Sequence, residues 1–65
     1  MITVTRLNGD RIVVNAELIK TLEATPDTII TLINGDRLVV KEPVPSVIEL
    51  AIDYGRRLRA YRPKD

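Results

Sequence analysis

An eleven-residue segment of this 65-residue chain occurs twice, at residues 4–14 and again at residues 30–40. Seven of the eleven positions are identical, and three more exchange one aliphatic residue for another. Each copy places an Asn-Gly pair between two apolar runs, which is the strongest short-range sequence signal for a β-hairpin. The chain is therefore expected to build the same hairpin twice, which favours a small β-rich scaffold over a catalytic pocket assembled from diverse groups.

The pattern of apolar residues predicts the register of both hairpins. If Leu7-Asn8-Gly9 is a three-residue loop with Gly9 in the left-handed conformation, Arg6 pairs with Asp10. Four aliphatic residues then share one face: Ile2, Val4, Ile12 and Val14. A two-residue loop would scatter them over both faces, and register follows the face that is buried. The same register around Asn34-Gly35 groups Ile30, Leu32, Leu38 and Val40, and it places Leu32 opposite Asp36.

Three shorter segments complete the β-rich region. Residues 15–19 are expected to make a single turn, because Asn15 suits a turn or a brief helical cap. Residues 19–24 alternate weakly and are interpreted as a middle strand. Thr25-Pro26-Asp27 predicts a tight turn, and the β-branched residues of 28–33 predict a further strand. The β-sheet region should therefore span residues 1–42.

A C-terminal amphipathic helix is predicted over residues 46–61. Pro43 and Pro45 should end the sheet, and Ser46 with Glu49 three residues later forms a capping-box pattern. At helical spacing, one apolar stripe contains Val47, Ile48, Ala51, Gly55 and Leu58, flanked by Leu50, Tyr54 and Tyr61. This stripe is expected to cover the apolar face of the hairpins. The predicted fold is a single α+β domain, in which one small antiparallel β-sheet of about five short strands is followed by one helix.

Composition limits the chemistry that the chain can perform. The sequence contains no Cys and no His, which excludes disulfides and thiolate metal sites and removes the commonest general base. No catalytic, cofactor-binding or metal-binding residue is therefore predicted, and no small-molecule substrate is expected. Because so short a chain has a thin core and an open sheet has unpaired edges, we expect a homo-oligomer.

Nothing in the sequence predicts a membrane protein. The first residues lack the basic start and apolar segment of a signal peptide. No run approaches the roughly 18 apolar residues that a transmembrane helix needs. The expectation is a soluble cytoplasmic protein.

The repeated Asn-Gly-Asp-Arg segment has two interpretations. It could present carboxylates and guanidinium groups for binding at two loop tips. Alternatively, Asn8, Gly9, Asn34 and Gly35 form the turns, while the Asp and Arg residues keep the tips soluble. We favour the structural interpretation because turn chemistry explains every residue, and because Asp10 and Asp36 have no neighbour in sequence that would separate two carboxyl pKa values for acid–base work.

The last ten residues are strongly basic. Residues 1–55 contain five Lys/Arg and eight Asp/Glu, whereas residues 56–65 contain five Lys/Arg and one Asp. The four arginines there are Arg56, Arg57, Arg59 and Arg62. Three interpretations stay open: a solvated helix end that complements its dipole, a patch that docks on an acidic protein or lipid surface, or a nucleic-acid contact. Few aromatic residues and an acidic body weigh against the last one.

The chain resembles the small FlbD-type flagellar proteins, a family that includes SwrD-like swarming motility proteins. The resemblance covers about residues 1–58 and lies in the order and spacing of several segments: Thr5-Arg6-Leu7-Asn8-Gly9, residues 15–19, residues 23–28, Asn34-Gly35 and residues 39–42. It implies a non-enzymatic accessory of bacterial flagellar motility, with motor or stator proteins as partners. It also implies a place at the flagellar motor beside the inner membrane.

A second, thinner likeness keeps a different function class open. Residues 23–52, read as strand, turn, strand, Asn-Gly, strand and helix, are similar in plan to the LytTR-type DNA-binding domain. This likeness implies a small nucleic-acid-binding regulator, although function does not follow from a shared plan.

Overall fold

The computed structural model describes residues 1–60, in which five β-strands precede one α-helix. The strands are β1 (Ile2–Thr5), β2 (Arg11–Val14), β3 (Ile19–Glu23), β4 (Thr28–Leu32) and β5 (Arg37–Val40). A 3₁₀ turn (Ala16–Leu18) separates β2 from β3, and helix α1 spans Val44–Ala60. The α+β class and the number of strands predicted from the sequence are confirmed.

The first hairpin has the predicted register. β1 and β2 are antiparallel, with Ile2 opposite Val14 and Val4 opposite Ile12. The Arg6 N–H donates to the Asp10 carbonyl at 2.7 Å, which closes a three-residue loop. Gly9 has a φ of +98°, the left-handed conformation that side chains with a Cβ rarely adopt. Turn chemistry and the buried face therefore select the same register.

The second hairpin repeats the first in geometry and in burial. Leu32 N–H donates to the Asp36 carbonyl at 2.8 Å, and Gly35 has a φ of +95°. β4 and β5 pair with Ile30 opposite Leu38. Equivalent positions of the two hairpins are buried alike. Val4 and Ile30 are fully buried, and Val14 and Val40 are nearly fully buried. The sequence repeat is thus a structural repeat.

The strands form two sheets that meet at one point. β1 and β2 make a two-stranded sheet, and β3, β4 and β5 make a three-stranded sheet in that order. A single bridge between Arg6 and Val40 joins them, and the Lys41 N–H donates to the Thr5 carbonyl at 2.8 Å. The sequence suggested one sheet of five strands, whereas the pairing between β1 and β5 is too short to make a ladder.

The segments on either side of β3 also agree with the sequence. Asn15 caps the 3₁₀ turn, since its side-chain oxygen accepts from the Glu17 N–H at 3.1 Å. β3 pairs with β4 through a register shift between Ile19 and Thr21. The turn between β3 and β4 contains a cis Thr25–Pro26 peptide bond.

Helix α1 begins two residues earlier than the sequence predicts. Val44 is its first residue, so the expectation that Ser46 is the N-cap is wrong. The Ser46 N–H donates to the Pro43 carbonyl at 2.9 Å instead. Pro45 fits within the first helical turn because the N–H groups there have no intrahelical acceptor. The predicted end at Tyr61 lies outside the described residues.

The core lies between the two hairpins and the first half of α1. Among residues 1–60, Thr28 and six hydrophobic residues are buried, and the hydrophobic ones are Ile2, Val4, Val14, Ile30, Val40 and Val47. Tyr54 packs against this core, whereas Ile48 and Leu58, which the sequence placed in the covered stripe, are 42% and 49% exposed. The sheets are too small to cover the whole helix, and the molecule measures 47 × 22 × 19 Å.

Candidate interaction surface

Helix α1 has a second apolar side that faces solvent. Val47 anchors the helix in the core, and Tyr54, two turns later, keeps it against β1 and β2. The side of the helix turned towards β3 carries Ile48 and Ile52, which are 42% and 45% exposed. α1 therefore buries one stripe and leaves a neighbouring apolar stripe without a partner in the described part of the chain.

This exposed stripe forms one wall of an open groove of about 420 Å³. The opposite wall comes from the 3₁₀ turn and β3. Among residues 1–60, the lining is Ala16, Ile19 and Leu22 on one side, and Ile48, Ala51, Ile52, Gly55 and Arg59 on the helix. Arg59 is the one charged residue of this described lining, and it lies at one end, beyond Gly55. The groove is thus an apolar trough with a cationic end.

Along the outer border of the stripe, two acidic residues are followed by a basic one. Glu49 and Asp53 precede Arg56 along the exposed face of α1, and together with Ile52 they line a second shallow depression. Asp53 accepts from Arg57 at 3.1 Å in an i,i+4 ion pair whose side chains are largely exposed. Such a surface pair contributes only about 0.3–0.5 kcal/mol.

The basic residues predicted from the sequence divide between two sides of the helix. Arg56, Arg57 and Arg59 are all exposed, and Arg62 lies outside the described residues. At about 100° per residue, Arg56 and Arg59 are roughly 60° apart, whereas Arg57 and Arg59 are roughly 160° apart. Arg56 and Arg59 therefore form one basic edge beside the groove, and Arg57 is engaged by Asp53.

The two hairpin tips use their polar groups to make the turns. Asn8 Oδ1 accepts from the Asp10 N–H at 2.9 Å, and Asn8 Nδ2 donates to the Asp10 carboxylate at 3.2 Å. Asn34 and Asp36 repeat this arrangement at 3.0 and 3.1 Å. These bonds account for Asn8, Gly9, Asn34 and Gly35 as turn residues and favour the structural interpretation of the repeated segment.

A polar contact between the first hairpin and the start of α1 was not apparent from the sequence. Glu42 accepts from the Thr5 N–H and from the Thr5 hydroxyl, each at 2.8 Å. Partial burial raises the pKa of Glu42, but the hydrogen bonds from Thr5, with a smaller contribution from Arg11, outweigh it and leave the pKa below its usual value. This carboxylate fixes the segment from which the helix departs.

The exposed stripe of α1 could have been predicted from the sequence, but the apolar stripe predicted in the sequence analysis does not include it. Ile52 belonged to neither the predicted stripe nor its flank. However, Ile48, Ile52, Gly55 and Arg59 follow one another at spacings of four, three and four residues, the repeat that is typical of a helix seam facing another helix. Two separate seams therefore run along one short helix.

Residues 1–60 contain no group of three or more His, Cys, Asp or Glu side chains that could hold a metal ion. In the same part of the chain, α1 is neither long enough nor apolar enough to cross a membrane.

The repeated hairpins and the half-exposed helix define a small α+β protein whose most distinctive surface is one side of an amphipathic helix. The sequence model of the FlbD family, described as flagellar and swarming motility proteins, matches residues 1–59 of this chain. The chain belongs to this family. Among curated proteins and among solved structures, none matches the chain significantly.

Proposed function

We propose that this chain is a non-enzymatic accessory protein of bacterial flagellar motility, which acts as a protein-interaction module in support of the motor or its stator. The observation that carries this proposal is the family match over residues 1–59. The match includes both hairpins and nearly all of α1, which supports a role for the whole fold more than for one motif.

The exposed side of α1 supports an interaction role. Apolar side chains that cluster on the surface of a soluble protein mark contact sites more often than scattered ones do. Ile48 and Ile52 lie side by side on α1, and Ile19 and Leu22 extend the apolar area across the groove. A partner that covers this area would remove apolar surface from water, at roughly 25 cal/mol per Å².

The basic edge predicts the sign of the charge on the proposed partner. Arg56 and Arg59 are exposed beside the groove, and an acidic protein surface would complement them. Complementary charge of this kind steers association and fixes orientation more than it adds affinity. Motor or stator proteins that present acidic residues are the partners we expect, in accordance with the family role.

The proposal of a non-enzymatic role is supported by the residues available for chemistry. The sequence contains no His and no Cys, and the repeated carboxylates Asp10 and Asp36 are engaged by Asn8 and Asn34 in their turns. A binding function needs none of these groups to be free.

Crosslinking in motile cells followed by capture of the tagged chain tests the proposal. We expect the wild-type chain to recover motor or stator proteins, identified by mass spectrometry. The variant Arg56→Glu with Arg59→Glu should recover less. The matched control is Lys20→Glu with Lys41→Glu, which makes the same change of charge at exposed positions outside α1 and should recover as much as the wild type.

The same experiment addresses the nucleic-acid alternative. Recovery of nucleic acid in place of motor proteins, with a yield that falls steeply with salt, would contradict the proposal. Contacts to phosphates release counterions, and the logarithm of the binding constant falls by about 0.9 per phosphate contact for each unit of log salt concentration.

A further inference from the structure

We propose that the exposed side of α1 binds a second copy of this chain, so that the two helices pack antiparallel in a symmetric dimer. Ile52 of each copy lies against Gly55 of the other, and Glu49 of each copy faces Arg56 of the other. This inference concerns self-association and does not depend on the proposed role in motility.

The seam is the exposed stripe of α1. Ile48, Ile52, Gly55 and Arg59 follow one another at steps of four, three and four residues, which keeps them on one line facing a neighbouring helix. Ile48 and Ile52 are 42% and 45% exposed although both are aliphatic. All four residues line the same groove. A second helix laid in that groove would cover them together.

Gly55 is unexplained by the fold of one copy. Glycine inside a helix costs about 1 kcal/mol relative to alanine. A Cβ at this position would come within 3.3 Å of Arg59 Nη1, the flexible end of a side chain, and the other nearest atoms belong to the same guanidinium group. One chain could therefore accommodate alanine there. A second helix gains from glycine, because once the flexible Arg59 side chain moves aside, the missing Cβ leaves space for Ile52 of the other copy.

The order of the charged residues along α1 favours a second copy of the chain as the partner and predicts that the two helices run antiparallel. Glu49 and Arg56 follow Ile48 and Gly55 in sequence, so they lie on the same border of the seam. When two identical helices run antiparallel, equal borders meet. Glu49 of each copy then lies within about two residues, or 3 Å along the axis, of Arg56 of the other. Two equivalent ion pairs result. The two helix dipoles also point in opposite directions, which is the favourable arrangement for neighbouring helices.

Within the described residues, neither charge has an ion-pair partner in its own copy. Among residues 1–60, the ion pairs are Arg37–Glu23 and Arg57–Asp53, and neither includes Glu49 or Arg56. The border is therefore complementary to itself, which is the property that a symmetric dimer interface requires.

The opposite border of the seam is mainly apolar, although Glu17 also lies beside it. Ala51 and Leu58 lie on the side of α1 that faces the 3₁₀ turn, and Ala16, Ile19 and Leu22 form the far wall of the groove. A helix from the second copy would contact this wall as well as the seam. A single helix pair with one adjoining wall is a small interface, below about 1,200 Å², and such interfaces give weak complexes. We expect a dissociation constant in the micromolar range.

Sedimentation of the full-length chain with swapped charges tests the pairing. The wild type should approach twice its 7.3 kDa mass as concentration rises. Glu49→Arg alone and Arg56→Glu alone should each weaken the dimer at least tenfold. The double variant should restore it, because it exchanges the two charges without changing the net charge. A mixture of the two single variants should also dimerise, since each supplies what the other lacks.

A second pair of variants tests the seam. Ile52→Lys should abolish the dimer while circular dichroism shows an unchanged fold, since Ile52 is outside the buried core. Val13→Lys is the matched control, because Val13 is 66% exposed on the edge strand β2, and it should leave the dimer intact. The proposal is overturned if the wild type stays monomeric at millimolar concentration. It is equally overturned if the double charge swap fails to restore the dimer, or if Val13→Lys, and not Ile52→Lys, abolishes it.

Discussion

Gly9 and Gly35 hold the two hairpins in register, because each occupies the left-handed conformation at the end of a three-residue loop. No atom lies within 4 Å of a Cβ built at either position, so the effect of a substitution is confined to the backbone. Gly9→Ala and Gly35→Ala should each lower the free energy of unfolding by about 1–2 kcal/mol in urea titrations.

Gly55 provides the contrast, since its backbone is helical. Gly55→Ala should raise the stability of the monomer by roughly 0.5–1 kcal/mol. Equal effects of alanine at Gly9 and at Gly55 would contradict the assignment of Gly9 as a conformational requirement.

Glu42 should make the stability of the protein depend on pH in acid. Its pKa is lower in the folded state than its usual 4.5, so the unfolded chain takes up a proton more readily. The stabilisation is therefore complete above the usual value and is lost as pH falls through the lowered one. Glu42→Gln cannot titrate, and its stability should decline less than that of the wild type between about pH 5 and pH 3.

Threonine variants connect this behaviour to one hydrogen bond. Thr5→Val removes the hydroxyl that donates to Glu42 and should also reduce the acid dependence measured by urea unfolding. Thr3→Val is the matched control on the same strand and should preserve it. Acid dependence that is identical in the wild type and in Glu42→Gln would show that the Thr5–Glu42 contact does not hold the carboxylate in its charged form.

Helix α1 buries one side and exposes the next, and two consecutive residues separate these roles. Val47 is fully buried whereas Ile48 is 42% exposed. Val47→Ala should destabilise the chain by about 2–3 kcal/mol, through lost burial and the cavity that remains. Ile48→Ala should change stability by about 0.5 kcal/mol or less. Chemical unfolding of both variants at low protein concentration measures this difference, and equal losses would contradict the described orientation of α1.

Local chemistry explains why the hairpins could be predicted from the sequence and the helix only in part. The Asn-Gly loops and the alternating residues around them determine register over a few residues, so Arg6 and Asp10 paired as expected. The start of α1 depends on where β5 ends and on the contact between Thr5 and Glu42, two residues that are distant in sequence. The capping-box pattern at Ser46 could not reveal this.

Periodicity shows which helical residues can share a side, but it does not show how wide the opposing sheet is. Ile48 and Leu58 fitted the predicted stripe, yet the two small sheets bury Val47 and leave Ile48 and Leu58 42% and 49% exposed. The exposed seam containing Ile52 was therefore missed, although its heptad-like spacing is visible in the sequence. The role of the basic residues in partner binding stays a prediction from the sequence. Of these residues, Arg56 and Arg59 form an exposed edge beside that seam.

For the molecule as a whole, self-association and partner binding would use adjacent parts of one helix. Arg56 forms the ion pairs of the proposed dimer, whereas Arg59 lies at the end of the seam. Adding Glu49→Arg to the Arg56→Glu, Arg59→Glu variant should restore the dimer without restoring the basic edge. Swarming that stays reduced in this triple variant would assign the defect to partner binding.

Swarm expansion is the most direct measure of the central claim, that this chain supports flagellar motility through the exposed basic edge of α1. A strain that carries Arg56→Glu with Arg59→Glu should swarm more slowly than the wild type, while the purified variant retains its β-scaffold by circular dichroism. The control strain with Lys20→Glu and Lys41→Glu should swarm normally. Normal swarming by the Arg56→Glu, Arg59→Glu strain, with the protein folded and present at wild-type level, would contradict the account.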